Sequence, residues 1–147
     1  MYLNSGKHDS FKNSGFTRYY EDTYEITNEL GHAANPGVFV AKLLDESSNP
    51  IYDVKYSIGE DGFRITPEQN GKIGSPINFF GCSFTFGEGL NDNQTLPYLF
   101  SQNQKNSSVK NYAFHGYGVH QALYLLKNKI DPHEKSTHIL VTAPWHA

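Results

Sequence analysis

Residues 77–87, INFFGCSFTFG, join a short apolar run to a glycine and then to two hydroxyl-bearing side chains. The run 77–80 has apolar residues on both faces, which is typical of a strand buried inside a parallel sheet. Two similar runs follow, each after a helical pattern: helices 96–104 and 118–129, strands 108–114 and 138–143. Strands that alternate with helices predict a three-layer, flavodoxin-like α/β fold with an incomplete parallel sheet of about three strands.

The two helical patterns carry recognisable start signals and spacing. Thr95 is a candidate N-cap, and Pro97 lies in the first turn that follows it. In the second helix, apolar residues recur at helical spacing: Val119, Ala122, Leu123, Leu126 and Ile130. One face of this second helix is therefore predicted to pack on the sheet.

Before this unit, the sequence predicts a small antiparallel β unit. Residues 37–44 are strongly apolar, and residues 51–58 alternate between apolar and polar side chains, which is typical of a half-buried hairpin. A third short strand is predicted at 63–66, before a Pro/Gly-rich linker. We therefore divide the chain into three parts: a flexible lead-in (1–20), a β-rich unit (21–75) and a truncated α/β domain (76–147).

Length, charge and cysteine content exclude several classes of protein. A chain of 147 residues has room for one domain with an appendage. A net charge of −3 without a cationic cluster argues against a nucleic-acid partner. One cysteine excludes an internal disulfide framework. No apolar run reaches the roughly 20 residues that span a bilayer, and no signal-peptide pattern is present, so we expect a soluble chain of unassigned compartment.

The chemistry is expected at one edge of the sheet. In an open parallel sheet, ligands bind outside the carboxyl ends of the strands. Three segments follow the predicted strands at that edge: 81–90, 114–120 and 143–146. They carry a serine hydroxyl, glycine turns with free backbone N–H groups, and imidazole rings, all of which catalysis uses.

Residues 80–87, FGCSFTFG, contain the pattern G-x-S-x-T-x-G directly after an apolar strand. This segment resembles the first block, G-D-S-x-T-x-G, of the SGNH/GDSL hydrolases, and GLNDNQTLP at 89–97 is similar to the continuation common in bacterial members. The segment NYAFHGYGVHQ at 111–121 resembles the second block, in which a glycine follows the second strand. Residues 52–64 also resemble the β-rich preface of some members, so the resemblance covers roughly residues 30–147.

The resemblance implies a serine nucleophile and an oxyanion hole. Ser83 would attack an ester carbonyl and form an acyl-serine intermediate. The backbone N–H groups of Ser83 and Gly116 would stabilise the negative charge that develops on the carbonyl oxygen. The alternative for Ser83 is an ordinary serine that caps a loop.

Three departures from the family pattern bear on activity. Cys82 stands where the family has Asp, and we interpret it as a small buried residue rather than a nucleophile. The third block usually supplies an Asn side chain to the oxyanion hole, whereas this chain has PWH at 144–146. His146 could donate a ring N–H to the oxyanion in its place, or it could form a wall of the pocket. The family's catalytic Asp and His lie in a D-x-x-H motif, which is absent from the printed sequence. The catalytic triad of Ser, His and Asp is therefore expected to be incomplete in this fragment, which would leave the fragment itself poorly active.

Other side chains near the predicted site are candidates for substrate binding: Arg64, His115, His120 and Trp145. For Arg64 the alternative is a structural salt bridge. A metal site of His115, His120 and His146 has no carboxylate or Cys ligand, so neither a metal nor a cofactor is predicted. We interpret the remaining charged and imidazole residues as surface, loop or strand-end positions: His8, His32, Glu88, Asp92, His133 and His138.

Three functions use these parts. The first is an esterase or deacylase that acts on a small-molecule or glycan-linked ester, and the second is an O-acyltransferase, in which an alcohol rather than water attacks the acyl-serine. The third is a non-catalytic binding module, for a glycan or another ligand, on a truncated hydrolase fold. An incomplete sheet also leaves an apolar edge, from which we expect self-association.

Overall fold

The computed structural model describes residues 24–25, 29–68, 71, 74–104 and 106–143. The predicted lead-in (1–20) lies outside these ranges. The elements of the described part are the strands β1 (Tyr24–Glu25), β2 (Ala33–Ala34), β3 (Gly37–Leu44), β4 (Pro50–Ile58), β5 (Gly74–Phe80), β6 (Ser107–Asn111) and β7 (Thr137–Leu140), the α-helices α1 (Ser83–Phe86), α2 (Leu96–Gln102) and α3 (Val119–Asn128), and a 3₁₀ turn (Asp92–Gln94).

The central feature is a parallel sheet of three strands in the order β6-β5-β7. Both neighbours run parallel to β5, with Ile77 opposite Val109 on one side and Thr137 on the other. The prediction of an α/β fold with a three-stranded parallel sheet is therefore confirmed. Because the chain leaves β5 toward one neighbour and later returns to the other, β5 borders the point where the strand order reverses.

The side chains of β5 alternate between two cores, one on each face of the sheet. Ile77 and Phe79 pack with Val109 and with Phe100 of α2. Phe80 points to the other face and belongs to a larger cluster that includes Leu125 of α3. A face buried on each side explains why residues 77–80 are apolar except for Asn78, which is also buried and contacts His138 of β7.

The predicted hairpin is also present. Strands β3 and β4 pair antiparallel, with Gly37 opposite Ile58 and Leu43 opposite Tyr52. The alternation along β4 buries Val54, Tyr56 and Ile58, which join the same core cluster as Phe80. The hairpin thus forms its own small sheet and packs on the face of the parallel sheet that α3 also covers.

The predicted third strand at 63–66 is reduced to one bridging residue. Arg64 pairs antiparallel with Ile58 on one side and with Asn111 on the other, so it connects the hairpin to β6. The neighbouring backbone groups are used in a turn, in which the Gly59 N–H donates to the carbonyl oxygen of Phe63 at 2.9 Å. The pairing therefore does not extend into a continuous strand.

The ends of the strands differ from the predicted bounds for local reasons. Strand β5 begins at Gly74, inside the predicted linker 67–75. Strand β6 ends at Asn111, where the predicted strand continues to 114, because the Asn111 Oδ1 accepts the N–H of Ala113 and turns the chain. The Thr95 N-cap is confirmed, since its Oγ1 accepts the Tyr98 N–H at 3.3 Å.

Strand β7 is an edge strand, and within the described residues no further strand pairs with its outer side. Leu140 on this strand is 45% exposed. None of the helices in the described ranges has the length and the apolar character needed to cross a membrane.

Candidate functional site

The carboxyl ends of the three parallel strands meet around Gly81. The Phe114 N–H donates to the carbonyl oxygen of Gly81 at 3.3 Å, and the Val141 N–H donates to that of Phe80 at 2.9 Å. The three segments expected at this edge therefore start next to one another. The segment after β5, residues 81–92, contains the predicted nucleophile Ser83 and for that reason is called the nucleophile loop below.

Gly81 is required where the nucleophile loop begins. A Cβ atom built on this glycine would lie 2.3 Å from Thr85 Oγ1 and 2.9 Å from the carbonyl oxygen of Val141. Thr85 is fully buried and the second contact is backbone, so neither neighbour has room to move. The loop can leave the sheet this tightly only because residue 81 has no side chain.

We therefore expect Gly81→Ala to displace α1 and to destabilise the fold by about 1–3 kcal/mol, the usual cost of overpacking. Thermal unfolding of the variant measures the loss. The matched control is Gly71→Ala, because Gly71 also has a positive φ (+79°) and so carries the backbone strain, but a Cβ atom there meets nothing within 4 Å. Equal melting temperatures for the two variants would contradict the close packing at Gly81.

Ser83 is the first residue of the four-residue helix α1 and follows Cys82, whose backbone is extended. Ser83 is partly exposed, whereas Thr85 and Phe86 are buried. The Ser83 carbonyl oxygen accepts the N–H groups of Gly87 and Glu88 at 2.9 and 3.0 Å. Within the described residues no hydrogen bond is made to Ser83 Oγ, so its hydroxyl is available at the helix N-terminus.

Cys82 is a free cysteine and is buried. The interpretation of Cys82 as a small buried residue is therefore confirmed. Cys82 is thus buried next to Ser83, which is partly exposed.

Arg64 lies under the nucleophile loop and also borders a surface cavity beside β6. The residue is 3% exposed, and its guanidinium donates at 2.6–3.3 Å to four backbone carbonyl oxygens: those of Lys55, Phe86, Gly87 and Leu90. Its Nε also donates to Asp92 Oδ1 at 3.0 Å. The structural salt bridge, the alternative for Arg64, is the arrangement that the structure contains, and the side chain is fully occupied within the protein.

Aromatic rings enclose the Arg64 guanidinium. Its carbon atom lies 4.4 Å from the ring centre of Tyr56 and 4.8 Å from that of Phe86. Such contacts favour a cation over an aromatic face. The Tyr56 hydroxyl accepts the Gly89 N–H at 2.7 Å, and burial raises the pKa of Tyr56 above its ordinary value. The phenol therefore stays neutral at physiological pH.

Two more side chains fix the loop from either side. Asp92 Oδ1 accepts the Ser57 N–H at 3.1 Å as well as the Arg64 Nε–H. Asn111 Nδ2 donates to the carbonyl oxygens of Thr85 and Phe86 at 3.2 and 3.4 Å. The interpretation of Asp92 as a solvated loop residue is wrong, because its carboxylate connects the loop to β4 and to Arg64.

The second block forms a turn after β6 that presents Gly116. Gly116 has φ +72°, which favours glycine, and it is exposed between the buried residues His115 and Tyr117. This segment, residues 114–117, is called the Gly116 turn below. Phe114 belongs to the core, as predicted.

The two histidines of this segment lie in different environments. His115 is 6% exposed, its ring centre lies 4.5 Å from that of Phe86, and its Nδ1 lies 3.5 Å from Glu88 Oε2. Glu88, interpreted from the sequence as solvated, therefore contacts the second block. His120 is exposed in the first turn of α3. Burial leaves His115 little surface for a substrate, whereas His120 keeps its ring accessible.

His32 is a site residue that the sequence did not reveal. The sequence predicts a surface or strand-end residue; His32 directly precedes β2 and is partly buried, and its Nε2 hydrogen-bonds the carbonyl oxygen of His115. The ring packs at 5.6 Å from Phe114 and at 5.4 Å from Tyr117. The segment around His32 carries no motif, and His115 lies 83 positions further along the chain, so only the fold brings the two residues together.

The third segment is only partly described. Trp145 and His146 lie outside the described residues, so the oxyanion and substrate roles of these side chains stay predictions. Among the described residues, no three His, Cys, Asp or Glu side chains lie close enough to hold a metal ion. Two surface cavities of about 470 and 510 Å³ lie beside β6 and beside Pro67, and neither is lined by Ser83 or Gly116.

Comparison with known proteins assigns the chain to no family. No protein-family model matches it, and no curated protein sequence matches it either. The residues at the carboxyl edge of the sheet and the resemblance of two short blocks are therefore the features that bear on function.

Proposed function

We propose that this chain carries the nucleophile and the main-chain oxyanion donors of a serine ester hydrolase of the SGNH/GDSL type. One observation carries the proposal: Ser83 is partly exposed at the start of α1, directly after the central strand of a parallel sheet. A serine at such a strand-to-helix turn projects its hydroxyl where substrates bind in α/β folds.

The proposed reaction is acyl transfer in two steps. Ser83 Oγ attacks the ester carbonyl carbon, the C–O bond to the alcohol breaks, and the alcohol leaves with a proton. Water then attacks the acyl-serine, releases the acid and returns the proton to Ser83 Oγ. A base must carry the proton in both steps, and in SGNH hydrolases this base is the His of the D-x-x-H motif.

The surroundings of Ser83 support a preorganised site. Arg64, Asp92 and Asn111 fix the nucleophile loop through backbone carbonyls and strand N–H groups. Backbone N–H donors that are held in place stabilise an oxyanion without reorganising during the reaction.

Two alternatives use the same site. An O-acyltransferase differs only in the acceptor of the acyl group, and product analysis with water or an alcohol as acceptor separates it from a hydrolase. A non-catalytic module for a glycan or another ligand is favoured by one observation: no described side chain hydrogen-bonds Ser83 Oγ. Covalent chemistry at Ser83 distinguishes that module from both enzymes.

The test is covalent trapping of the nucleophile. We expect a fluorophosphonate to add one adduct to the protein, and peptide mass spectrometry to locate it on Ser83. Ser75→Ala, which removes an exposed serine of β5, should leave labelling unchanged, whereas Ser83→Ala should abolish it. An adduct on another residue would contradict the enzyme proposal, as would the absence of an adduct when a catalytic base is supplied, because the printed sequence does not contain the D-x-x-H motif.

A further inference from the structure

His32 reaches the back of the peptide unit that carries the Gly116 N–H. Its Nε2 bonds the carbonyl oxygen of His115, and that carbonyl belongs to the same peptide plane as the N–H of Gly116. In a planar trans peptide, the C=O and N–H bonds point in opposite directions. A side chain that fixes this C=O therefore also fixes the direction of the Gly116 N–H, which points away from His32.

The chemistry of the contact determines which atom donates. A carbonyl oxygen only accepts, so His32 Nε2 must carry the proton. A hydrogen bond to the C=O polarises the peptide unit and strengthens its N–H as a donor. The contact thus both orients the Gly116 N–H and makes it a better partner for a negative oxygen.

His32 is itself held in place from two sides. The Tyr117 hydroxyl donates to the His32 carbonyl oxygen at 2.8 Å, and the imidazole packs against the rings of Phe114 and Tyr117. Burial raises the pKa of Tyr117 above its ordinary value, so its hydroxyl keeps the proton that it donates. A Cβ atom at Gly116 would meet the His32 ring at 3.6 Å, which places the ring directly beside the turn.

We propose that His32 is a positioning residue of the oxyanion hole: through the His115 carbonyl it orients and polarises the Gly116 N–H. The inference rests on the proposed function, since it assumes that this N–H binds the oxyanion. It adds a side chain from the β-rich unit to a site otherwise built on the parallel sheet.

Two variants separate the hydrogen bond from the packing. His32→Phe keeps a ring against Phe114 and Tyr117 but has no donor. His32→Gln keeps an N–H donor at a similar distance from the backbone. We expect His32→Phe to lower kcat by about ten- to a hundredfold, as for other supporting contacts, with little change in KM. His32→Gln should recover most of that loss.

A structural readout is independent of turnover. In NMR spectra, His32→Phe should shift the carbonyl ¹³C resonance of His115 and the amide resonances of Gly116, and His32→Gln should shift them less. If His32→Phe leaves these resonances unchanged, or if both variants lower kcat equally, the positioning role is wrong. Should His32→Phe not fold, Tyr117→Phe, which releases the His32 carbonyl, should move the same resonances in the same direction.

The same experiment separates failure of this inference from failure of the proposed function. If turnover is present but does not depend on Ser83, the proposed function is wrong and the oxyanion role of Gly116 falls with it. The shifts of the His115 carbonyl and Gly116 amide resonances still show whether His32 orients the peptide unit between these two residues. If turnover depends on Ser83 and the His32 variants behave like the unmodified protein, only the inference about His32 fails.

Discussion

Where a catalytic base serves Ser83, Ser83→Ala is expected to lower ester hydrolysis by at least about a thousandfold in kcat/KM; without that base the unmodified chain is itself slow, and the loss is smaller. Alanine removes the only atom that forms the acyl-serine bond, and the oxyanion donors alone retain only a small part of the acceleration. The partly exposed position of Ser83 means that the substitution leaves the core intact. The measurement is the initial rate with p-nitrophenyl acetate, a short-chain activated ester.

The matched control for Ser83→Ala is Cys82→Ala at the neighbouring position. Cys82 is buried and free, so its loss should reduce stability slightly and leave most of the turnover. The two variants therefore distinguish a serine nucleophile from a cysteine nucleophile. Turnover that survives Ser83→Ala but disappears in Cys82→Ala would reverse the assignment.

The sequence predicted the sheet well because burial on both faces leaves a clear pattern. Residues 77–80 are buried in the structure, and an apolar run without alternation is what such a strand requires. The bounds were less predictable, since β6 ends where the Asn111 side chain bonds the backbone two residues on. A local side-chain bond of this kind leaves no trace in the hydrophobic pattern.

The supporting residues of the site were not predictable from the sequence. Arg64 stands between Phe63 and Ile65, where alternation favours a solvent-facing side chain, yet it is buried because the folded loop turns backbone carbonyls toward it. The position of His32 likewise depends on its hydrogen-bond partner, His115, which lies in a distant part of the chain. Both act on backbone groups, whose direction depends on the fold and not on residue type.

The second large effect is expected from Arg64→Met, which should destabilise the protein by about 3–5 kcal/mol. Methionine retains much of the apolar contact with Tyr56 and Phe86. It leaves four carbonyl oxygens without the guanidinium and removes the partner of the Asp92 carboxylate, whose side chain is 17% exposed. Equilibrium unfolding in guanidinium chloride, followed by circular dichroism, measures the change in free energy.

A surface ion pair of the same chain provides the control for Arg64. Lys42 Nζ lies 3.2 Å from Asp53 Oδ2 on the hairpin, and the two side chains are 39% and 52% exposed. Lys42→Met should cost no more than about 1 kcal/mol, because water screens such a pair. If Arg64→Met and Lys42→Met were equally mild, the guanidinium would not be holding the loop.

Arg64→Lys tests whether the shape of the guanidinium matters in addition to its charge. A lysine ammonium keeps the positive charge for Asp92, but it is a single nitrogen and cannot reach carbonyls on several sides as the planar fork does. We therefore expect a free energy of unfolding between those of Arg64→Met and the unmodified protein. We also expect the rate of hydrolysis to fall by a larger factor than the folding equilibrium constant. A loop that stays folded but loses its fixed carbonyls moves Ser83 relative to the Gly116 turn, and catalysis is far more sensitive than folding to displacements of about an ångström.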